Sequence, residues 1–172
     1  TATRSGVIES LAQLPTVQPS VSLLPGAPDD LRIGILLPTG HTAEDGQLPV
    51  LLDPYGGPHF QSVMATQGAF RESQWWADQG FAVVVVDGRG TPGPPSWERA
   101  IRLQVASVVL ADQVAGLHAA ADACPQLDLT RVAIRGWSFG GYLAALAVLD
   151  RPEVFHAAIA GAPVTDWELY DT

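Results

Sequence analysis

Residues 130–150 read TRVAIRGWSFGGYLAALAVLD. An apolar run, Val132-Ala133-Ile134, meets Gly136-Trp137-Ser138-Phe139-Gly140-Gly141, and an alanine- and leucine-rich helical pattern follows. The order is strand, sharp turn, helix, with a serine at the apex. Such a turn strains the backbone of its serine, and flanking glycines are needed where a side chain would strike the adjoining strand or helix. The Ser138 hydroxyl is then lifted over the end of a sheet. The free amides at the start of the next helix favour a developing negative charge there. The stretch is therefore expected to be a nucleophile elbow with Ser138 as the nucleophile.

Working outward, apolar runs and helical patterns alternate. Residues 1–20, with Pro15 and Pro19, read as an N-terminal arm or linker, and residues 21–172 as one domain. Val21–Leu24 and Leu31–Leu37 are expected strands that start the domain as an antiparallel pair. Thr39–Gln47 is a polar loop. Leu48–Asp53 is a buried strand closed by Pro54-Tyr55-Gly56-Gly57-Pro58. Residues 67–79 have helical character, with Phe70, Trp75 and Trp76 on the buried side. Phe81–Val86, FAVVVV, is a continuous β-branched run of the kind found where both sheet faces are covered by helices. A Gly/Pro-rich loop over 87–97 leads to a helix over Glu98–Cys124, clearest from Ala111 onward. Phe155–Ala160 is a last strand before Gly161-Ala162-Pro163. The alternation predicts an α/β fold with a mainly parallel sheet, right-handed crossovers and helices on both faces.

Bulk composition narrows the class. The chain has 172 residues, of which 47% are hydrophobic and 16% charged, which suits one globular domain with a substantial core. A formal net charge of -9 disfavours nucleic acid and anionic membrane surfaces, since both reward clustered Lys and Arg. No apolar stretch reaches the ~18 residues of a spanning helix, and no signal peptide is expected. A cytoplasmic location is the expectation. Cys124, the single cysteine, rules out an internal disulfide and reads as a small buried side chain before Pro125. The chain starts on Thr1 rather than Met and is expected to be a piece of a longer protein.

Gly88-Arg89-Gly90-Thr91-Pro92-Gly93 fits the dinucleotide pattern G-x-G-x-x-G and follows the strongest strand. A nucleotide site must open a helix, however, and Pro92, Pro94 and Pro95 remove the amides that would receive a pyrophosphate. The acidic residue about 20 positions on, Asp112, falls inside a helix. The loop is expected to shape a cleft rim, and no cofactor is expected.

The loop Asp53-Pro54-Tyr55-Gly56-Gly57-Pro58 leaves its strand at the same sheet edge as Ser138. A tyrosine between such turn residues can present its phenol O–H to an alkoxide, so Tyr55 is a candidate oxyanion donor. Its plain alternative is a Pro-Gly turn with a packed tyrosine. The elbow also needs a base. His41 and His59 lie in loops and His118 on a helix. His156 follows Ser138, yet falls at the start of a strand, far from the catalytic edge, and reads as structural. Asp150 looks like a solvated helix stop, and Asp166 and Asp171 come too early for a triad acid. No metal-ligand spacing exists among His, Cys and the acidic residues.

Together DPYGGP, FAVVVVDGRG, GWSFGGY and APVTDWELYD resemble the catalytic domain of the prolyl oligopeptidase family of serine peptidases, and most closely its dipeptidyl peptidase IV-type branch. The resemblance covers most of residues 21–172, in matching order. It implies an α/β-hydrolase fold, here incomplete, with about six of eight strands. It implies Ser138 as nucleophile, with the Phe139 N–H and the Tyr55 hydroxyl forming the oxyanion hole. It also implies a proline-sized pocket lined by Phe139, Val164, Trp167 and Tyr170, whose aromatic walls suit a flat apolar ring. The family's catalytic Asp and His lie further along than Thr172.

The expected function is hydrolysis of short peptides after proline through an acyl-enzyme on Ser138, with a peptide substrate as partner. The remainder of the catalytic domain and a β-propeller are the expected partners within the parent protein. The chain alone is expected to be nearly inactive, and poorly stable because the 155–160 strand leaves an apolar edge uncovered. Three alternatives stay open: an acylaminoacyl peptidase, an esterase on the same fold, and a non-catalytic hydrolase-fold binding module. Hydrolysis of a Pro-ester, an acetyl-amino-acid amide and an aryl ester side by side separates the enzymes. A triad Asp and His within roughly 100 residues after Thr172 separates enzyme from binding module.

Overall fold

The structure, a computed structural model, describes Gly6, Glu9, residues 11–25 and residues 27–170. The remainder of the expected arm, Gly26 and the candidate acid Asp171 lie outside the described residues. Among the described residues the strands and α-helices follow in order: β1 (Val21–Leu24), β2 (Arg32–Leu36), β3 (Leu48–Leu52), α1 (Arg71–Ala77), β4 (Ala82–Asp87), α2 (Pro95–Ala100), α3 (Val105–Ala123), β5 (Leu127–Trp137), α4 (Phe139–Asp150) and β6 (Ala157–Gly161). They build one mixed sheet in the order β1-β2-β4-β3-β5-β6. β1 and β2 run antiparallel to their neighbours, while β4, β3, β5 and β6 are mutually parallel.

Every residue of β4 is buried, because both of its faces are covered. Val84 and Val86 point into a core formed with Leu110, Val114 and Leu117 of α3 and Ala144 and Ala147 of α4. Val83 and Val85 point the other way, into a smaller core with Phe70 and Ala77. The two-residue period of the strand thus divides one apolar run between two helical layers.

Several boundaries differ from expectation, each for a tertiary reason. Trp75 was expected to be buried but is 47% exposed. Phe70, in the turn before α1, is buried as expected, and Trp76, which follows Trp75, is half-buried. The helix expected from Glu98 is broken at residues 101–104, where Leu103 takes a φ of 63°. Ladders to β3 on one side and β6 on the other lengthen β5 well beyond Val132–Ile134. Phe155 precedes β6 rather than starting it, and is buried in the larger core. Cys124 is half-buried, its thiol donating to Gln126 Oε1 at 3.2 Å. β6 stands at the edge of the sheet, with Ile159 53% exposed.

Candidate active site

At the junction of β5 and α4, Ser138 adopts φ 56° and ψ -115°. For a residue with a Cβ this is a strained conformation. Three contacts hold it. The Ser138 N–H donates to Gly161 O at 2.9 Å, tying the turn to the end of β6. Its carbonyl accepts the Tyr142 N–H at 2.9 Å, which starts α4. The third is steric: a Cβ on Gly136 would lie 2.2 Å from the Gly140 backbone, and one on Gly140 would lie 2.4 Å from Pro54 O. Only glycine fits where three backbones meet. As the first residue of α4, Phe139 carries one of the amides that lack an intrahelical acceptor, at the positive end of the helix.

The loop after β3 closes on this elbow. Gly56 takes φ 70°, and a Cβ there would meet Leu143 and Val109 at 2.6 and 2.9 Å. The loop can therefore press on α3 and α4 only with glycine at this point. Tyr55 comes to rest with its ring 6.2 Å from Phe139 and 5.3 Å, edge-on, from Phe60.

Aromatic rings continue beyond Phe139. Trp167 lies 5.9 Å from it and Tyr170 lies 5.4 Å from Trp167. Of the residues expected at the site, Tyr55, Phe139, Trp167 and Tyr170 thus form one run of contacting rings next to Ser138. Val164 is half-buried in the segment between β6 and Trp167. The sequence reading missed Tyr142 and Phe60. Tyr142 packs edge-on against both Phe139 (5.9 Å) and Trp167 (5.3 Å). Its spacing of three from Phe139 on a helix was the available signal.

Two hollows flank the elbow. One, of about 290 Å³, lies between Tyr55, Phe60 and Trp137, the residue before Ser138. The other, of about 490 Å³, lies between Tyr142, Trp167 and the segment at Leu103–Ser107. A hollow of about 530 Å³, lined by His41 and Cys124, sits at the opposite end of the sheet and shares no residue with the elbow.

Asp53, just after β3, has a carboxyl pushed above its ordinary range by burial, an effect that Arg135 opposes. His156 accepts the Val132 N–H at 3.1 Å on Nδ1, alongside the middle of β5. Asp166 caps the turn at Trp167–Leu169 by accepting the Glu168 N–H at 2.9 Å. Asp150, at the end of α4, is exposed. The G-x-G-x-x-G loop folds back on α3, with Arg89 bound to Asp112 at 2.5 Å and Thr91 bonded to Gly88 O. Among the described residues, no group of three or more His, Cys, Asp or Glu is placed to hold a metal ion, and no helix is long and apolar enough to cross a membrane.

Residues 68–172 match the prolyl oligopeptidase family, and residues 26–95 match the X-Pro dipeptidyl-peptidase (S15) family. Dipeptidyl peptidase 8 of Mus musculus and of Homo sapiens are each 39% identical over 139 residues, covering 77% of this chain. Dipeptidyl peptidase family member 2 of Caenorhabditis elegans is 30% identical over 141 residues, covering 80% of this chain. The fold superposes on the crystal structure of a candidate dipeptidyl aminopeptidase IV from Bacteroides ovatus with a TM-score of 0.79 at 30% identity, over 88% of this chain. The matched region spans only 15% of each dipeptidyl peptidase 8 and 22% of the Bacteroides ovatus chain.

Proposed function

Since the chain belongs to the prolyl oligopeptidase family, we propose that the protein carrying it is a serine peptidase that cleaves short peptides after proline. Ser138 Oγ attacks the carbonyl carbon of the scissile bond and passes its proton to a histidine. That histidine returns the proton to the leaving amine, and an acyl-enzyme remains for water to hydrolyse. The chain's one histidine after Ser138 is engaged with Val132. We therefore assign the base and its acid partner to the remainder of the catalytic domain.

The negative charge formed on the carbonyl oxygen is received by the Phe139 N–H and the Tyr55 hydroxyl. The proline ring packs among Phe139, Val164, Trp167 and Tyr170, with Tyr142 completing the wall. Flat aromatic faces around a pyrrolidine give burial and stacking without asking for a polar partner. A peptide reaches the site under a β-propeller contributed by the rest of the protein.

The observation that supports this reading is the strained Ser138 at the head of α4, with Phe139 next to it in the chain and the Tyr55 ring 6.2 Å from that of Phe139. The test is turnover of a proline-linked chromogenic dipeptide by the full-length protein. Ser138→Ala should lower turnover by about 10⁴–10⁶-fold. Tyr55→Phe should lower kcat by about 10²–10³-fold with little change in KM. Full activity in Ser138→Ala refutes the assignment. Faster turnover of an acetyl-amino-acid amide or an aryl ester than of the proline substrate refutes the specificity.

A further inference from the structure

We propose that Arg135 is a positioning residue: it clamps the strand end that carries Tyr55 to the strand that carries Ser138, and so sets the gap in which the oxyanion forms. The inference rests on the roles given to Ser138 and Tyr55 above. β3 and β5 are parallel neighbours with Leu52 opposite Ile134, so Asp53 and Arg135 come next in the same register. Asp53 stands two residues before Tyr55, and Arg135 three before Ser138. Across that register Arg135 Nη1 donates to Asp53 Oδ1 at 3.2 Å, while Ser73 Oγ donates to Oδ2 at 2.9 Å. Arg135 Nη2 donates to Glu72 Oε1 at 2.5 Å, and the guanidinium lies over the Trp76 ring at 5.1 Å.

A planar fork held by two carboxylates and stacked on an indole has one orientation. The Asp53 arm matters most, because both side chains are only 16% exposed, whereas Glu72 is 70% exposed and its bond is screened by water. Removing Arg135 would leave the Asp53 carboxylate with the Ser73 hydrogen bond but no positive partner, in a site where burial already disfavours its charge. Asp53 would then move or take up a proton. Either response pulls on the segment that follows it, and that segment sits so near the elbow that a Cβ on Gly140 would lie 2.4 Å from Pro54 O. A displacement there changes the distance between the Tyr55 hydroxyl and the amide of Phe139. Misplacement by about 1 Å can cost about 100-fold in rate.

The test is a double-mutant cycle in the full-length protein, using the proline-linked dipeptide and a peptide boronate whose oxyanion occupies the same hole. Arg135→Met should lower kcat by about 10–100-fold and weaken the boronate by a similar factor, with KM changed less than about 3-fold. In the Tyr55→Phe background the same substitution should cost less than about 2-fold, because the donor it positions is gone. If Arg135→Met does not fold, Arg135→Lys enters the same cycle. An ammonium is a point charge that cannot hold Asp53 and Glu72 in one plane, so a smaller loss with the same non-additivity is expected. Equal losses with and without the Tyr55 hydroxyl, or a rise in KM alone, refute the clamp. An unchanged kcat in Tyr55→Phe refutes the oxyanion role of Tyr55, and the clamp falls with it.

Discussion

Ser138→Gly should make the protein more stable than Ser138→Ala, although both variants lack the hydroxyl proposed as the nucleophile. The two differ by one methyl group at a position where φ is 56° and ψ is -115°. A non-glycine residue in such a region carries about 1–3 kcal/mol of backbone strain, which glycine escapes. Against that gain stands the larger entropy glycine loses on folding, about 0.5–1 kcal/mol. Taking the middle of each range, the difference is a net stabilisation of about 1 kcal/mol. At about 3 °C per kcal/mol for a domain of this size, the melting midpoint should rise by about 3 °C. The assay is thermal or urea unfolding of the two variants side by side, with a serine-directed fluorophosphonate verifying that neither is labelled. A glycine variant no more stable than the alanine variant would show that the elbow is not strained. The account of why the turn presents its hydroxyl would then fail.

Three further outcomes are expected. Gly140→Ala should abolish labelling of Ser138 by a fluorophosphonate, because its Cβ would lie 2.4 Å from Pro54 O and force the Tyr55 loop off the elbow; undiminished labelling would contradict that contact. Leu143→Ala should cost about 2–5 kcal/mol in urea unfolding, since the side chain is fully buried beneath the loop at Gly56. Asp128 is held down to about 2 by Thr130 and Arg131, so the unfolded state binds its proton more readily between pH 2 and 3.8. Its stabilising contribution is therefore complete above that window and lost as pH falls through it; a melting series should show the loss in the native protein and not in Asp128→Asn.

The sequence determined the features that depend on neighbours along the chain. The elbow at Ser138 was legible because its strain and its glycines arise within six residues, and the periods of strand and helix arise within a few more. The buried character of β4 was legible for the same reason. The tertiary structure alone decided the sheet order, in which β4 lies between β2 and β3. It alone decided how much of α1 is covered, so that Trp75, expected on the buried side with Phe70 and Trp76, is exposed. A helical pattern records where apolar residues recur, and nothing about which flank another layer will reach. Arg135 carried no signal in the sequence, because Asp53 and Glu72 stand 82 and 63 residues away from it in the chain. The aromatic turn at Trp167 and Tyr170 was expected at the site from a family resemblance, since WELY by itself describes any helical turn with apolar faces. Strain and periodicity are written locally; the meeting of distant side chains is fixed only when the layers pack.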